Sequence, residues 1–271
     1  MKRKIGVLAA AAASSVLWLA PTAWADLALN MPVGVTTTSR EVYSLHMLVL
    51  GVCVVIGLLV YGLMIYAIVN FRKSKGAEAS KFTHNTKLEV VWTVIPAAIL
   101  IGLAIPSAKT LVEINDTRNP DLTVKVTGYQ WRWQYDYIDS NVKFYSTLAR
   151  SSNAARQPGS GIDPNSVENY LLSVDHPLVV PVDAKVRLLI TAADVVHSWW
   201  VPFFAVKKDA VPGYVNEAWF KATEEGTYRG QCAELCGMDH GFMPIVVRVV
   251  NQDEFDRWLA EQETPALTRA D

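Results

Sequence analysis

Between Gln231 and Pro244 the chain reads QCAELCGMDHGFMP, which sets two thiols, an imidazole and a thioether (Cys232, Cys236, His240 and Met243) within one short stretch. Thiolate, imidazole and thioether together favour copper over hard cations. A second imidazole, His197, lies in DVVHSWWVP, just past a strand-like run that ends near Thr191. In a β-sandwich, a residue at such a strand end can reach a loop that joins two other strands at the same pole. One copper of the blue type takes one thiolate, two imidazoles and a distant sulfur, which would leave one thiol here without a task. Two coppers bridged by both sulfurs, each with one terminal imidazole, use every donor. Met243 then serves one metal weakly, and a backbone carbonyl can serve the other. A filled donor set offers no open position to a substrate, so the chemistry expected is electron relay.

Each donor taken singly has a plainer reading. An exported cysteine pair is usually a disulfide; a single histidine is more often packed or at the surface; a single methionine more often fills a core. Only the grouping turns them toward metal. The third cysteine, Cys53, sits among Val and Ile in an apolar run and reads as a small packing residue.

The elements around these donors place them outside the cytoplasm. Lys2, Arg3 and Lys4, the apolar stretch Ile5 to Leu19 and the small-x-small pattern Ala23-Trp24-Ala25 predict a secretory signal over residues 1–25. The mature chain is then expected to start near Asp26. Apolar runs from Met47 to Val69 and from about Val90 to Ala108 are long enough to span a bilayer, and predict helices over about 43–71 and 88–110. The polar hairpin between them holds Arg72, Lys73, Lys75, Lys81 and Lys87, which belong on the cytoplasmic side. Everything after Lys109 then faces the periplasm of a bacterium, with the protein in the inner membrane. The expected divisions are an anchor over 26–111, a β domain over 112–252, and a short helix and tail over 253–271.

From Leu122 the apolar period becomes two. Leu122, Val124 and Val126 alternate with polar residues, and Trp131, Trp133, Tyr135 and Tyr137 fall opposite Arg132, Gln134 and Asp136. A Ser/Gly/Asn/Asp/Pro-rich stretch from Ser151 to Ser166 reads as a surface loop. Further strands are predicted at Tyr170–Val174, Leu178–Val182, Val186–Thr191, Asn216–Ala222, Gly226–Gln231 and Met243–Val250, the pattern of a sandwich or barrel. Asp253 is expected to cap a last helix with Phe255, Trp258 and Leu259 on its apolar face. A net charge of -1 offers no strongly basic face for nucleic acid.

With these blocks in order, the chain resembles subunit II of haem–copper cytochrome c oxidases. LEVVWTVIP near Glu89, GYQWRWQYDY near Trp131, DVVHSWWVPFFAVKKDAVPG near His197 and the cysteine loop carry the resemblance. It implies a two-helix transmembrane hairpin followed by an all-β cupredoxin-like barrel bearing the dinuclear copper centre CuA. By motif position the ligands would be His197, Cys232, the main-chain carbonyl of Glu234, Cys236, His240 and Met243. The Glu234 carboxylate would help bind a magnesium ion at the interface with the catalytic subunit, in keeping with hard-cation preference.

The same resemblance implies a proton-pumping oxidoreductase complex with a haem-bearing subunit I, a subunit III and cytochrome c as donor. Trp131 would receive the electron, Asp136 and Asp194 would help dock the basic donor, and Glu89 would open the K proton pathway. The plainer readings are core packing for Trp131, a solvated charge for each acid, and an acid favoured at a helix start for Glu89. Among the four rings Trp131 is the one assigned to electron entry, and Trp133, Tyr135 and Tyr137 are left structural. No C-x-x-C-H haem attachment motif follows the barrel, so the haem donor is expected to be separate.

Three rivals differ from this reading. Nitrous-oxide reductases are similar only over the loop, without this anchor. A non-redox membrane scaffold would lack the copper ligands, all of which are filled here. A copper-delivery module would want an exposed site, whereas this loop lies among aromatic strands.

Overall fold

A computed structural model describes residues 30–263; the expected signal segment and the tail after Glu263 lie outside the described residues. Two long helices come first, α1 (Thr37–Asn70) and α2 (Thr86–Ile114), both apolar all round and long enough to cross a membrane. Helix α1 begins at Thr37, ahead of its apolar run, because a capping box starts it there. The Thr36 hydroxyl accepts from Ser39 N, and the Ser39 hydroxyl accepts from Thr36 N, each at 2.9 Å. Helix α2 is capped by the Asn85 side chain, which accepts from the amides of Lys87 and Leu88. The basic hairpin between the helices is exposed.

The β domain consists of β1 (Leu122–Tyr129), β2 (Arg132–Tyr137), β3 (Lys143–Ser146), α3 (Arg150–Ala155), β4 (Leu178–Pro181), β5 (Lys185–Ala192), β6 (His197–Val201), β7 (Val206–Ala210), β8 (Asn216–Lys221), β9 (Gly226–Cys232), β10 (Pro244–Val250) and α4 (Gln252–Glu263). The strands form two five-stranded sheets, ordered β3-β2-β1-β5-β8 and β4-β10-β9-β6-β7. β1 runs parallel to β5 and β4 parallel to β10; the other pairings are antiparallel. This mixed, crossed-over sandwich is the cupredoxin-like arrangement expected from the sequence. Alternation decides what lies between the sheets. Val124 and Val126 of β1, Trp133, Tyr135 and Tyr137 of β2, Val186, Leu188 and Ile190 of β5, and Trp199 of β6 are all buried.

Three predictions need correction. The stretch expected as a loop, Ser151–Ser166, opens instead within helix α3 (Arg150–Ala155), where Asn153 N donates to Ala149 O and Arg156 N to Ser152 O. No strand forms at Tyr170–Val174. Asn169 and Leu171 both have positive φ, the Leu171 amide is bonded to the Ser152 hydroxyl instead of a ladder, and Val174 makes only an isolated bridge to Leu148. The cap of α4 is Asn251, whose side chain accepts from Glu254 N at 3.0 Å, and not Asp253, which lies inside the first turn.

The helices are fastened to the sandwich at the ends nearest it. Val35 N donates to Phe203 O, Thr223 N to Val35 O, and the Thr36 hydroxyl to Phe204 O. At the end of α2, the Trp219 indole donates to Glu113 O at 3.1 Å. Thr36 is fully buried, so its hydroxyl serves both the cap and the joint. Replacing it by Val, which keeps the shape, should cost about 1 kcal/mol locally and speed amide exchange at Ser39 roughly fivefold. Unchanged exchange there would show that the joint does not depend on the cap.

Candidate metal centre

β6 and β9 are neighbours, with Trp199 paired to Cys232. His197 therefore opens one strand while Cys232 closes the other, side by side at one pole. Ala233 N donates to Ser198 O at 3.0 Å and continues the pairing past Cys232. The chain then turns through Glu234–Met243 and re-enters the sheet as β10. His197, Cys232, Cys236 and Met243 are buried, and His240 is partly buried.

The donors converge. The two thiol sulfurs lie 3.8 Å apart and are not bonded to each other. Cys232 Sγ is 3.9 Å from His197 Nδ1 and 3.3 Å from the carbonyl oxygen of Glu234. Cys236 Sγ is 3.5 Å from both His240 Nδ1 and Met243 Sδ. The ligand atoms of His197, Cys232 and Cys236 all fall within 4.8 Å of one another.

A thiolate–metal bond of about 2.3 Å at a near-tetrahedral angle sets two sulfurs that share a metal roughly 3.8 Å apart, and a sulfur and an imidazole nitrogen roughly 3.6 Å apart. The observed spacings match. The donor set therefore fits a soft-metal site with an imidazole beside each sulfur.

Neighbours hold these groups in place. His197 Nε2 lies 3.0 Å from Asp194 Oδ1, which fixes the ring so that Nδ1 faces Cys232. Asp194 Oδ2 accepts from Gln130 N at 2.8 Å, and Gln130 Nε2 donates to Cys236 O at 2.9 Å. The Trp131 indole donates to the same carbonyl at 3.1 Å, and that of Trp133 to Met243 O at 3.3 Å. Two glycines make room: a Cβ on Gly128 would meet His197 Cδ2 at 2.8 Å, and one on Gly237, where φ is +114°, would meet Gln130 Nε2 at 3.0 Å. Gln130, Gly128 and Gly237 gave no sign of this in the sequence, because none of them is a metal donor.

The other predicted residues are dispersed. Trp131 sits partly exposed in the turn between β1 and β2, against the loop. Asp136 is on the outward face of β2, ion-paired with Lys143 at 3.1 Å. Glu234 is exposed. Glu89 lies in the first turn of α2, exposed, with most of a 29-residue helix between it and the sandwich. That separation is about 40 Å at 1.5 Å per residue.

The thiols are electrostatically unequal. Burial resists charge on Cys232, but the His197 ring, the backbone at Ser198 and Glu234, and the His240 ring outweigh it and bring its pKa down to about 7. Burial, and then the charge already on Cys232, push Cys236 up to about 12. The Asp194 carboxyl lies below the usual carboxylate range, because bonds from His197, Gln130 N and Val195 N outweigh its burial.

Fold and site together define a membrane-anchored, cupredoxin-like protein with a soft-metal centre on its β domain. Two family models match the chain: "Cytochrome C oxidase subunit II, transmembrane domain" over residues 23–110 and "Cytochrome C oxidase subunit II, periplasmic domain" over residues 122–250. The chain is 41% identical over 228 residues to a "Probable cytochrome c oxidase subunit 2" of Rickettsia bellii, covering 84% of this chain and 81% of that one. It is 37% identical over 231 residues to the cytochrome c oxidase subunit 2 of Cereibacter sphaeroides, covering 82% and 76%. Among solved structures, it is similar to the periplasmic domain of subunit II of cytochrome oxidase of Bradyrhizobium japonicum, at 44% identity. That match covers 54% of this chain and 96% of that one, with a TM-score of 0.46. The chain belongs to the cytochrome c oxidase subunit II family, and so is a subunit of a cytochrome c oxidase, an oxidoreductase complex.

The unequal thiols give a test on the metal-free protein. In a Cys53→Ala background, ultraviolet thiolate absorbance should rise through one step near pH 7, with the second thiol silent until about pH 12. Because the lowered pKa belongs to Cys232, Cys232→Ser should abolish the early step and Cys236→Ser should retain it. Two overlapping steps at the ordinary thiol range would contradict the electrostatic asymmetry.

Proposed function

We propose that the chain is the electron-accepting subunit of a respiratory cytochrome c oxidase. It takes electrons from cytochrome c at a dinuclear CuA centre and passes them to the haem-bearing subunit I, where oxygen is reduced to water. The ligands in this reading are His197, Cys232, the Glu234 carbonyl, Cys236, His240 and Met243. The observation that carries it is the pair of unbonded sulfurs 3.8 Å apart, each with its own imidazole nitrogen within 3.9 Å. A dinuclear copper centre held by these residues would supply a one-electron redox couple. The chain's part is to keep the donors fixed and dry. The β6–β9 ladder holds His197 and Cys232, and the bonds from Gln130, Trp131 and Trp133 hold the carbonyls of Cys236 and Met243.

Trp131 is the point where the electron arrives in this reading. Its ring is partly exposed and its indole N–H is bonded to the carbonyl of a ligand residue, a route of one hydrogen bond from surface to site. Asp136 and Asp194 dock the basic donor, each with the charge that Lys143 or His197 leaves it. The exposed Glu234 carboxylate binds magnesium at the subunit I interface. Glu89, at the opposite end of α2, opens the proton pathway. Subunit III completes the complex. After cleavage of residues 1–25, the sandwich faces the periplasm and the basic hairpin the cytoplasm of a bacterial inner membrane. A non-redox scaffold would have no use for five convergent soft donors.

Elemental analysis and electron paramagnetic resonance on the purified complex test this reading. Expected are two coppers in this chain and a resonance whose hyperfine pattern shows one unpaired electron shared over both. One copper, or a Cys232–Cys236 disulfide, would end it.

Steady-state turnover tests the peripheral roles. Trp131→Ala should slow electron arrival from cytochrome c by more than about tenfold, the scale of roughly 1.4 kcal/mol on a barrier, and Glu89→Gln should slow oxygen reduction. Copper content should hold in Glu89→Gln, and the turnover of Trp131→Ala is counted per copper retained, because its indole also bonds the Cys236 carbonyl. Normal turnover in either variant would remove that residue's role.

A further inference from the structure

The two arms of the metal site are supported differently. Cys232 and His197 belong to paired strands. The other arm, residues 237–243, lies outside both sheets. Its own backbone bonds, His240 N to Gly237 O and Phe242 N to Asp239 O, are local to it. Something else must fix the direction of His240.

Among the described residues, two side chains from elsewhere in the sequence bond to this arm: the Trp133 indole, which donates to the carbonyl of Met243 at its end, and Arg156, which acts on its middle. Arg156, just after α3, donates from Nη1 and Nη2 to the two carboxylate oxygens of Asp239, each at 3.2 Å. The same guanidinium lies over the Phe242 ring, 4.2 Å from its centroid. Its Nε donates to Asn153 Oδ1 at 2.8 Å. Asp239 immediately precedes His240 and Phe242 immediately precedes Met243, so one cation grips the neighbour of each donor in the arm. The Arg156 and Asp239 side chains are only 23% and 24% exposed, which limits screening. A two-pronged contact to a carboxylate, combined with stacking on an aromatic ring, suits a planar guanidinium and not an ammonium.

The platform under Arg156 is itself secured. The Ser152 hydroxyl, fully buried, accepts from Leu171 N at 3.1 Å. Arg229 of β9 donates to Leu172 O at 2.8 Å. β9 is the strand that ends at Cys232. Through Arg229, the 150–172 segment and Arg156, the outer arm is therefore referred to the strand that carries the inner arm.

We propose that Arg156 is a positioning residue for the metal centre, holding His240 and Met243 in register with Cys232 and His197 through Asp239 and Phe242. The inference rests on the copper reading above. Its test uses the whole complex loaded with copper, comparing wild type with Arg156→Lys and Arg156→Met in competition against a copper chelator and by electron paramagnetic resonance. Arg156→Met should weaken copper retention about tenfold or more, the scale carried by outer partners of metal ligands. It should also alter the hyperfine pattern, which a purely structural role would leave unchanged. Arg156→Lys, with the charge but not the fork, should fall between. Should Arg156→Met fail to accumulate, Asp239→Leu, which keeps the branching at Cγ but neither charge nor acceptor, is read in the same way. Wild-type retention and an unchanged resonance in these variants would overturn the clamp. Failure of the wild type to hold two coppers would instead overturn the copper reading, and the clamp with it.

Discussion

Two sulfurs held 3.8 Å apart in a buried pocket are the constraint that the rest of the sandwich serves. As a pair of thiolates without a cation they would repel by about 4 kcal/mol at an effective dielectric constant near 20. The metal-free site answers by ionising one and keeping its partner protonated, hence pKa values of about 7 and about 12. A soft cation bound at this site would reverse that balance, since each thiolate would then face positive charge. Closeness, burial and freedom from a disulfide bond are a poor combination for a resting thiol pair and a good one for a metal bridge. Fold energy is committed to a geometry that only metal makes comfortable.

Holding that geometry falls mainly to backbone groups. The β6–β9 pairing sets the spacing of His197 and Cys232, while side-chain N–H groups of Gln130, Trp131 and Trp133 grip the carbonyls of Cys236 and Met243. Gly128 and Gly237 let those partners approach to distances that a methyl group would forbid. A centre gripped on so many sides changes shape little when its charge changes, which is what a relay requires. The capping box and the Trp219–Glu113 bond carry the same stiffness to the helices, so the site has a fixed bearing relative to its anchor.

Much of this was legible in the sequence where periodicity or donor chemistry spoke. Trp133, Tyr135 and Tyr137 alternate as a buried strand face should, and all three are buried. The donors at 232, 236, 240 and 243 meet because one loop carries them. Short strands escaped notice. β7 (Val206–Ala210) shows only Val206 and Ala210 inward around three charged residues, and β6 opens at His197 itself, too short for a period to register. Tyr170–Val174 has the composition of a strand, but the left-handed backbone at Asn169 and Leu171 rules one out. The groups that orient the donors were the least legible of all. Gln130 and Gly128 act through position alone, and position is a property of the register between β1 and its neighbours, not of any local motif.

Asp194 shows how two roles can share one side chain. As an acid near the site it belongs among the charges that would face a basic donor. Yet both its oxygens are engaged, Oδ1 with His197 Nε2 and Val195 N, and Oδ2 with Gln130 N. Gln130 in turn holds the Cys236 carbonyl, and His197 faces the Cys232 sulfur. The carboxylate is thus bonded, through one intermediary on each side, to both thiol-bearing residues. A cation drawn to Asp194 from outside competes with His197 for its charge. Docking a basic protein there would therefore weaken the pull of Asp194 on the imidazole proton and change how strongly Nδ1 donates on the far side of the ring. The place where a donor would be recognised and the centre that would accept its electron are joined by two hydrogen bonds, without any need for the fold to move.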